Sequence, residues 1–162
     1  MALLVGLGAA LHRVEALLPL PSPWIKLGLA NIMTMIAIAF LGTREAFAVT
    51  FLRVVLGSIL GGTFLGPTFL LSLAGGMAGT FAMVLVYRKG RGTFSMVGVS
   101  VAGACAHTAA IVVCVYGLFV RQNAFLNLFP FFLTFALISG VATGFLADAL
   151  ARHLVKEGVS LK

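Results

Sequence analysis

The stretch GPTFLLSLAGGMAGTFAMVLVY, residues 66–87, decides the fold class. It carries no charged residue. As a helix rising 1.5 Å per residue it would span about 33 Å, enough for the roughly 30 Å hydrocarbon core of a bilayer. Its glycine-rich part, SLAGGMAGT (72–80), could be mistaken for a phosphate-cradling loop. No Gly-Lys-Ser/Thr follows it and no strand pattern precedes it, so a nucleotide-binding reading fails. A membrane-spanning helix remains, whose glycines let a ligand or a neighbouring helix come close.

Working outward, the same character holds along the whole chain. Of its 162 residues 61% are hydrophobic and 9% charged, with a mean hydropathy of +1.15; a soluble domain carries about 25% charged residues. Apolar runs predict helices at about 2–18, 28–42, 45–61, 66–87, 93–120 and 124–154. The expectation is an all-α integral membrane protein, a compact bundle of about six transmembrane helices forming one domain over residues 1–162. LGTREA (41–46) is a connector short enough for a tight antiparallel pair. The last two runs exceed a bilayer's thickness and are expected to tilt or protrude. The opening run lacks a basic leader and a small-residue cleavage site, so it reads as a retained helix.

The net charge of +7 does not point to nucleic acid. Arg44, Arg88, Lys89, Arg91, Arg152, Lys156 and Lys162 fall in alternate connectors and the tail, the distribution that keeps loops on the cytoplasmic side. Both termini are therefore expected in the cytoplasm, with residues 19–27 and 121–123 outside the cell membrane. Cys105 and Cys114, nine residues apart, would lie on opposite faces of one helix. They read as buried structural thiols, neither paired with each other nor forming a metal site.

Small residues recur every fourth position at Ala2, Gly6 and Ala10, at Gly57 and Gly61 beyond Arg53, and at Gly140 and Gly144 before Asp148. Such stripes let membrane helices pack closely. The second and third suit internal packing. The first lies on a helix at the edge of the bundle and is a candidate face for a partner protein.

Charges near a bilayer centre cost about 2.5–3.5 kcal/mol on the mildest scale, so the few present need a reason. Asp148 and Arg152 read as a local ion pair at a helix end. Arg13, Glu15, Lys26, Asn31 and Arg121 map to the outer half, with Arg53 and His107 deeper. His107 shares its helix face with Ser100 and Gly103. With Ser72, this set describes a ligand cavity opening to one side: Arg13, Glu15, Lys26, Asn31, Arg53, Ser72, His107 and Arg121 are the candidate substrate-binding residues. The chain has no HExxH, CxxC or GxSxG, and a single aspartate, so it lacks the aspartate-rich motif that holds magnesium and a diphosphate. No catalytic residue, metal or cofactor is expected.

One polar island interrupts the apolar pattern. In PLPSPWIKLGLAN (19–31) three prolines restrict the backbone, Trp24 suits the membrane interface, and Gly28 allows a close approach. It is expected to act as a lid over the cavity. The string EALLPLPSPWIKLGLAN (15–31), with LRVVLGSILGG (52–62), SLAGGMAG (72–79) and GVSVAGACAH (98–107), resembles the Gx transporter family, often labelled heptaprenyl diphosphate synthase component I. That family is similar to the S components of energy-coupling-factor vitamin transporters. The resemblance implies six helices, a functional loop after the first, and a membrane-embedded energising subunit with ATPases as partner, besides a small-molecule substrate and membrane lipid. The enzyme label implies instead a non-catalytic membrane subunit in making a quinone's polyprenyl tail. The family pattern has Asn after the histidine and a Gln a few residues later; here Thr108 follows His107.

Overall fold

In the computed structural model the described residues are 1–18, 27–90 and 95–160, with Asn123 described by its backbone only. All regular structure among them is helical: α1 (Ala2–Leu17), α2 (Leu29–Phe40), α3 (Thr43–Leu60), α4 (Pro67–Lys89), α5 (Met96–Leu118), α6 (Asn123–Leu126) and α7 (Phe129–Lys156). Three segments, Pro67–Lys89, Met96–Leu118 and Ala124–Lys156, are long and apolar enough to cross a membrane. The protein is a membrane-embedded helical bundle.

The expected sixth helix is divided. Asn127 and Leu128 separate the short α6 from α7. Pro130 falls in the first turn of α7, where its missing N–H removes a donor that would have no partner anyway. At the other end Gly158 takes φ +88, and Val159 N–H bonds back to the Leu154 carbonyl, which stops the helix. The fifth helix is shorter than the expected 93–120: α5 has 23 residues, about 35 Å.

α2 is the axis of the bundle. Every residue from Ala30 to Ala39 is buried, and the helix packs on α1, α3, α4, α5 and α7. A helix apolar on all sides finds cover on all sides. The connector to α3 is only Leu41 and Gly42; Gly42, at φ +119, sends its N–H back to the Ala37 carbonyl at 2.8 Å. Positive φ is accessible to glycine without steric cost, so the turn can be that short.

Glycines set the remaining close approaches. A Cβ on Gly144 would lie 2.6 Å from Val97 Cα, and one on Gly140 3.0 Å from Val101 Cα, so α7 packs on α5 almost backbone to backbone. A Cβ on Gly79 would lie 3.0 Å from the Gly103 carbonyl oxygen, bringing α4 as close to the other side of α5. These contacts run antiparallel, and together they bear out the internal role expected for Gly140 and Gly144. Ser100 and Thr143 hydroxyls tie α5 to α7 at 2.9 Å. Cys105 and Cys114 are free thiols, as expected, but half-buried rather than buried.

The contacts also fix which ends lie together. Glu15 meets Gly28, Asn31 meets Arg53, Thr50 meets Thr80, and Gly75 meets His107. The C-terminal halves of α1, α3 and α5 thus share one end of the bundle with the N-terminal halves of α2 and α4. Arg44, Arg88 and Lys89, with Arg152 and Lys156, belong to the opposite end.

Candidate functional site

The polar residues of the first end come from five helices. His12 and Glu15 on α1, Asn31 on α2, Arg53 on α3, Ser72 on α4 and His107 on α5 line one cavity, with Gly28, Ala30 and Val54 completing its wall. The cavity is narrow, about 10 Å³ measured to the centre of a water, which is room for about one water molecule.

Arg53 lies at its centre. The residue is 3% exposed, and its Nη2 donates to Asn31 Oδ1 at 2.7 Å. A hydrogen bond from a charged donor contributes about 1.5–3 kcal/mol, and this one orients the guanidinium against α2. Its aliphatic part lies along Gly8 of α1, where a Cβ would come within 3.1 Å of Arg53 Cδ. Gly76 of α4 gives room instead to Thr50, whose Cγ2 would lie 3.2 Å from an added Cβ. Gly8 thus leaves the room in which a long cationic side chain passes α1.

The imidazoles are seated in the same manner. A Cβ on Gly57 would lie 2.6 Å from His12 Cδ2, and one on Gly75 2.6 Å from His107 Cδ2. The Arg53–Gly57–Gly61 stripe is therefore internal, packed on α1, as its sequence suggests. Ser100, Gly103 and His107 are all buried on one face of α5. Glu15 is 5% exposed and accepts the Gly28 backbone N–H at 2.5 Å. A carboxylate at this place faces the positive end of α2's backbone dipole.

Beneath Arg53, one turn further from this end, the hydroxyls of Thr34, Thr50 and Thr80 form a chain across α2, α3 and α4, at 3.0 and 2.8 Å. Thr80 then donates to the Gly76 carbonyl at 2.9 Å. Sequence reading missed these threonines, and it left His12 outside the candidate set. A signal existed for three of the four. His12 precedes Glu15 by three residues, Thr34 follows Asn31 by three, and Thr50 precedes Arg53 by three, the spacings that share a helix face.

Of the expected site residues, the structure brings together Glu15, Asn31, Arg53, Ser72 and His107. Arg13 is half-buried beside them, its guanidinium against Gly61 at the end of α3, and does not line the cavity. Arg121 is exposed in the connector after α5, apart from the cavity. Lys26 lies outside the described residues, as does the expected lid over 19–26. Ala2, Gly6 and Ala10 all face outward from α1. The Asp148 and Arg152 side chains pair at the end of α7 as expected, with Arg152 Nε donating at 2.9 Å. Among the described residues no three His, Cys, Asp or Glu side chains gather as metal ligands would.

Comparison with curated proteins and with solved structures gives no match. A family model does match, described as heptaprenyl diphosphate synthase component I, over residues 4–150. That span runs from α1 through most of α7 and takes in every side chain that lines the cavity. The chain therefore belongs to the heptaprenyl diphosphate synthase component I family.

Proposed function

We propose that the protein is the substrate-binding membrane subunit of a small-molecule uptake transporter of the energy-coupling-factor type. One observation carries this reading: five helices each send a polar side chain into one buried cavity at the end of the bundle away from its basic connectors. Buried polar groups in a membrane protein are costly, and their convergence is accounted for by a ligand they serve. Basic connectors favour the cytoplasm, so both termini are cytoplasmic under this reading and the cavity belongs to the outer half, where solute arrives. The outward face of α1 is then the surface for a membrane-embedded energising subunit that works with ATPases.

The experiment is purification of the full chain from its native membrane, with co-purifying small molecules and proteins both identified by mass spectrometry. A bound solute, together with a membrane subunit and ATPases, is the expected result. Cysteine substitution at position 90, in a background lacking Cys105 and Cys114, checks the orientation. Labelling of that position by an impermeant reagent from outside would refute it.

The family's description favours a second reading, a non-catalytic membrane subunit associated with heptaprenyl diphosphate synthase. Co-purification of a prenyl synthase instead of ATPases would select it. Under either reading the chain makes no prenyl chain itself, because a diphosphate leaving group needs carboxylate-held magnesium and one aspartate cannot form that motif. Elongation of allylic diphosphates by the purified protein with magnesium would overturn this.

A further inference from the structure

Among the described residues, Arg53 Nε is the buried side-chain polar atom without a hydrogen-bond partner. A guanidinium keeps its proton in proteins and presents several N–H donors at once. Asn31 takes one of them, from Nη2, and the Nε–H is left over. Arg53 is 3% exposed, so bulk solvent does not serve it. Buried donors are nearly always satisfied, and a charged one left without an acceptor is costly. The same side chain lines the polar cavity, which is where an acceptor has room to stand.

We infer that the partner of the Arg53 Nε–H is a single long-lived water molecule, built into the bundle as its side chains are. The inference goes beyond the uptake reading and holds under either reading of function. Size selects water first. The cavity offers about 10 Å³ to the centre of a water, room for about one, and a larger group enters only if the helices part. Bonding capacity selects it second. The wall also carries the Glu15 carboxylate, the Ser72 hydroxyl and the His107 imidazole, from α1, α4 and α5. A carboxylate has about four acceptor sites and a hydroxyl two lone pairs, so the bonds these groups already make do not prevent another. A partner placed here has to accept from the Nε–H and also donate to such acceptors. Water does both, whereas a carbonyl or ether oxygen only accepts. Charge asks for nothing further, because Glu15 already offsets Arg53 within the cavity. With the Nε–H as one partner and Glu15, Ser72 or His107 as the next, the molecule has the two or more polar contacts that buried waters keep. It then links α3 to another helix of the bundle. A solute's own acceptor could take this position only by displacing the water and widening the site.

The test uses the full chain in nanodiscs, with its arginines isotopically labelled at Nε for NMR. The Arg53 Nε–H signal is assigned by its loss in Arg53→Lys. Rotating-frame cross-relaxation is then recorded from that proton to water, its sign separating a bound water from proton exchange. Cross-relaxation to water is expected. Its absence, or cross-relaxation to carbon-bound protons of a co-purified molecule in its place, would overturn the inference. A second measurement needs no variant, so it stands even where Arg53→Lys does not fold. Brief X-ray irradiation makes hydroxyl radicals from waters where they stand, and mixing into heavy-oxygen water times how fast each is replaced. His107, on the cavity wall, should be oxidised and should take up the heavy oxygen more slowly than His153, which is exposed near the end of α7. His107 left unoxidised, or exchanging as fast as His153, would overturn the inference as well. The uptake reading is decided by what co-purifies and the water by these two measurements, so either can fail alone.

Discussion

Glu15, near the end of α1, accepts the backbone N–H of Gly28 at the start of α2, at 2.5 Å. The contact ties together the two ends of the Pro-rich connection between these helices. Gly28 meets Glu15 with φ +76, a left-handed conformation that costs an L-residue roughly 1–2 kcal/mol. Gly28→Ala should therefore destabilise the bundle by about that amount. Glu15→Gln keeps an oxygen for the N–H and should be mild, whereas Glu15→Ala should cost about 1–3 kcal/mol. Equilibrium unfolding in mixed micelles measures all three. Parental stability in Gly28→Ala would mean that the left-handed turn is not required.

His107 depends on a glycine in the same manner. A Cβ at position 75 would lie 2.6 Å from its Cδ2, 2.7 Å from its Nε2 and 3.0 Å from Ile111 Cγ1. Gly75→Ala should overpack this contact, costing about 1–3 kcal/mol, and push the imidazole into the cavity. Gly6→Ala is the control: nothing lies within 4 Å of the added carbon, and alanine's helix propensity gives a gain of up to about 1 kcal/mol. Opposite signs in the two unfolding midpoints are expected. A shared sign would show that helix propensity outweighs packing at Gly75.

Thr50 joins two hydroxyls on neighbouring helices, at 3.0 Å to Thr34 and 2.8 Å to Thr80. Thr50→Val keeps the shape and removes both bonds. Thr80 retains the Gly76 carbonyl, but Thr34 loses its acceptor or donor in a fully buried place. The expected loss is about 1–3 kcal/mol, with Thr50→Ser recovering most of it. If valine and serine unfold alike, the chain of hydroxyls adds nothing to stability.

How much of this was legible beforehand depended on which force set each feature. The span of a long apolar helix follows from apolar length alone, so α4 was read within two residues at each end. The division between α6 and α7 was not read, because the apolar run continues through Asn127 and the proline that permits the break serves equally well inside a first turn. For the cavity, polarity at depth identified Glu15, Arg53 and His107, since such residues stand out against lipid-like surroundings. Their depth did not say which face they occupy. Arg121 shares the charge and the end of the bundle with Arg53, yet it stays exposed because it sits in a connector rather than on a packed helix face. The central position of α2 was also hidden: its run of buried residues looks, by composition, like any lipid-facing helix.

The outer face of α1 separates folding from partnership in a single substitution. Ala2, Gly6 and Ala10 are all exposed, and Gly6 has open space around its α-carbon. The faces of α1 that hold the bundle are others: Val5, Gly8, Ala9 and Glu15 are its buried residues. A smooth outward stripe of small residues suits close approach by another membrane helix, and under the uptake reading that helix belongs to the energising subunit. Gly6→Leu places a bulky side chain in the stripe without touching the protein's own core. The substitution should abolish co-purification of the partner, while thermal unfolding and any bound solute remain as in the parent. Retention of the partner would place the docking surface elsewhere. Loss of stability together with loss of the partner would mean that this face of α1 supports the fold instead.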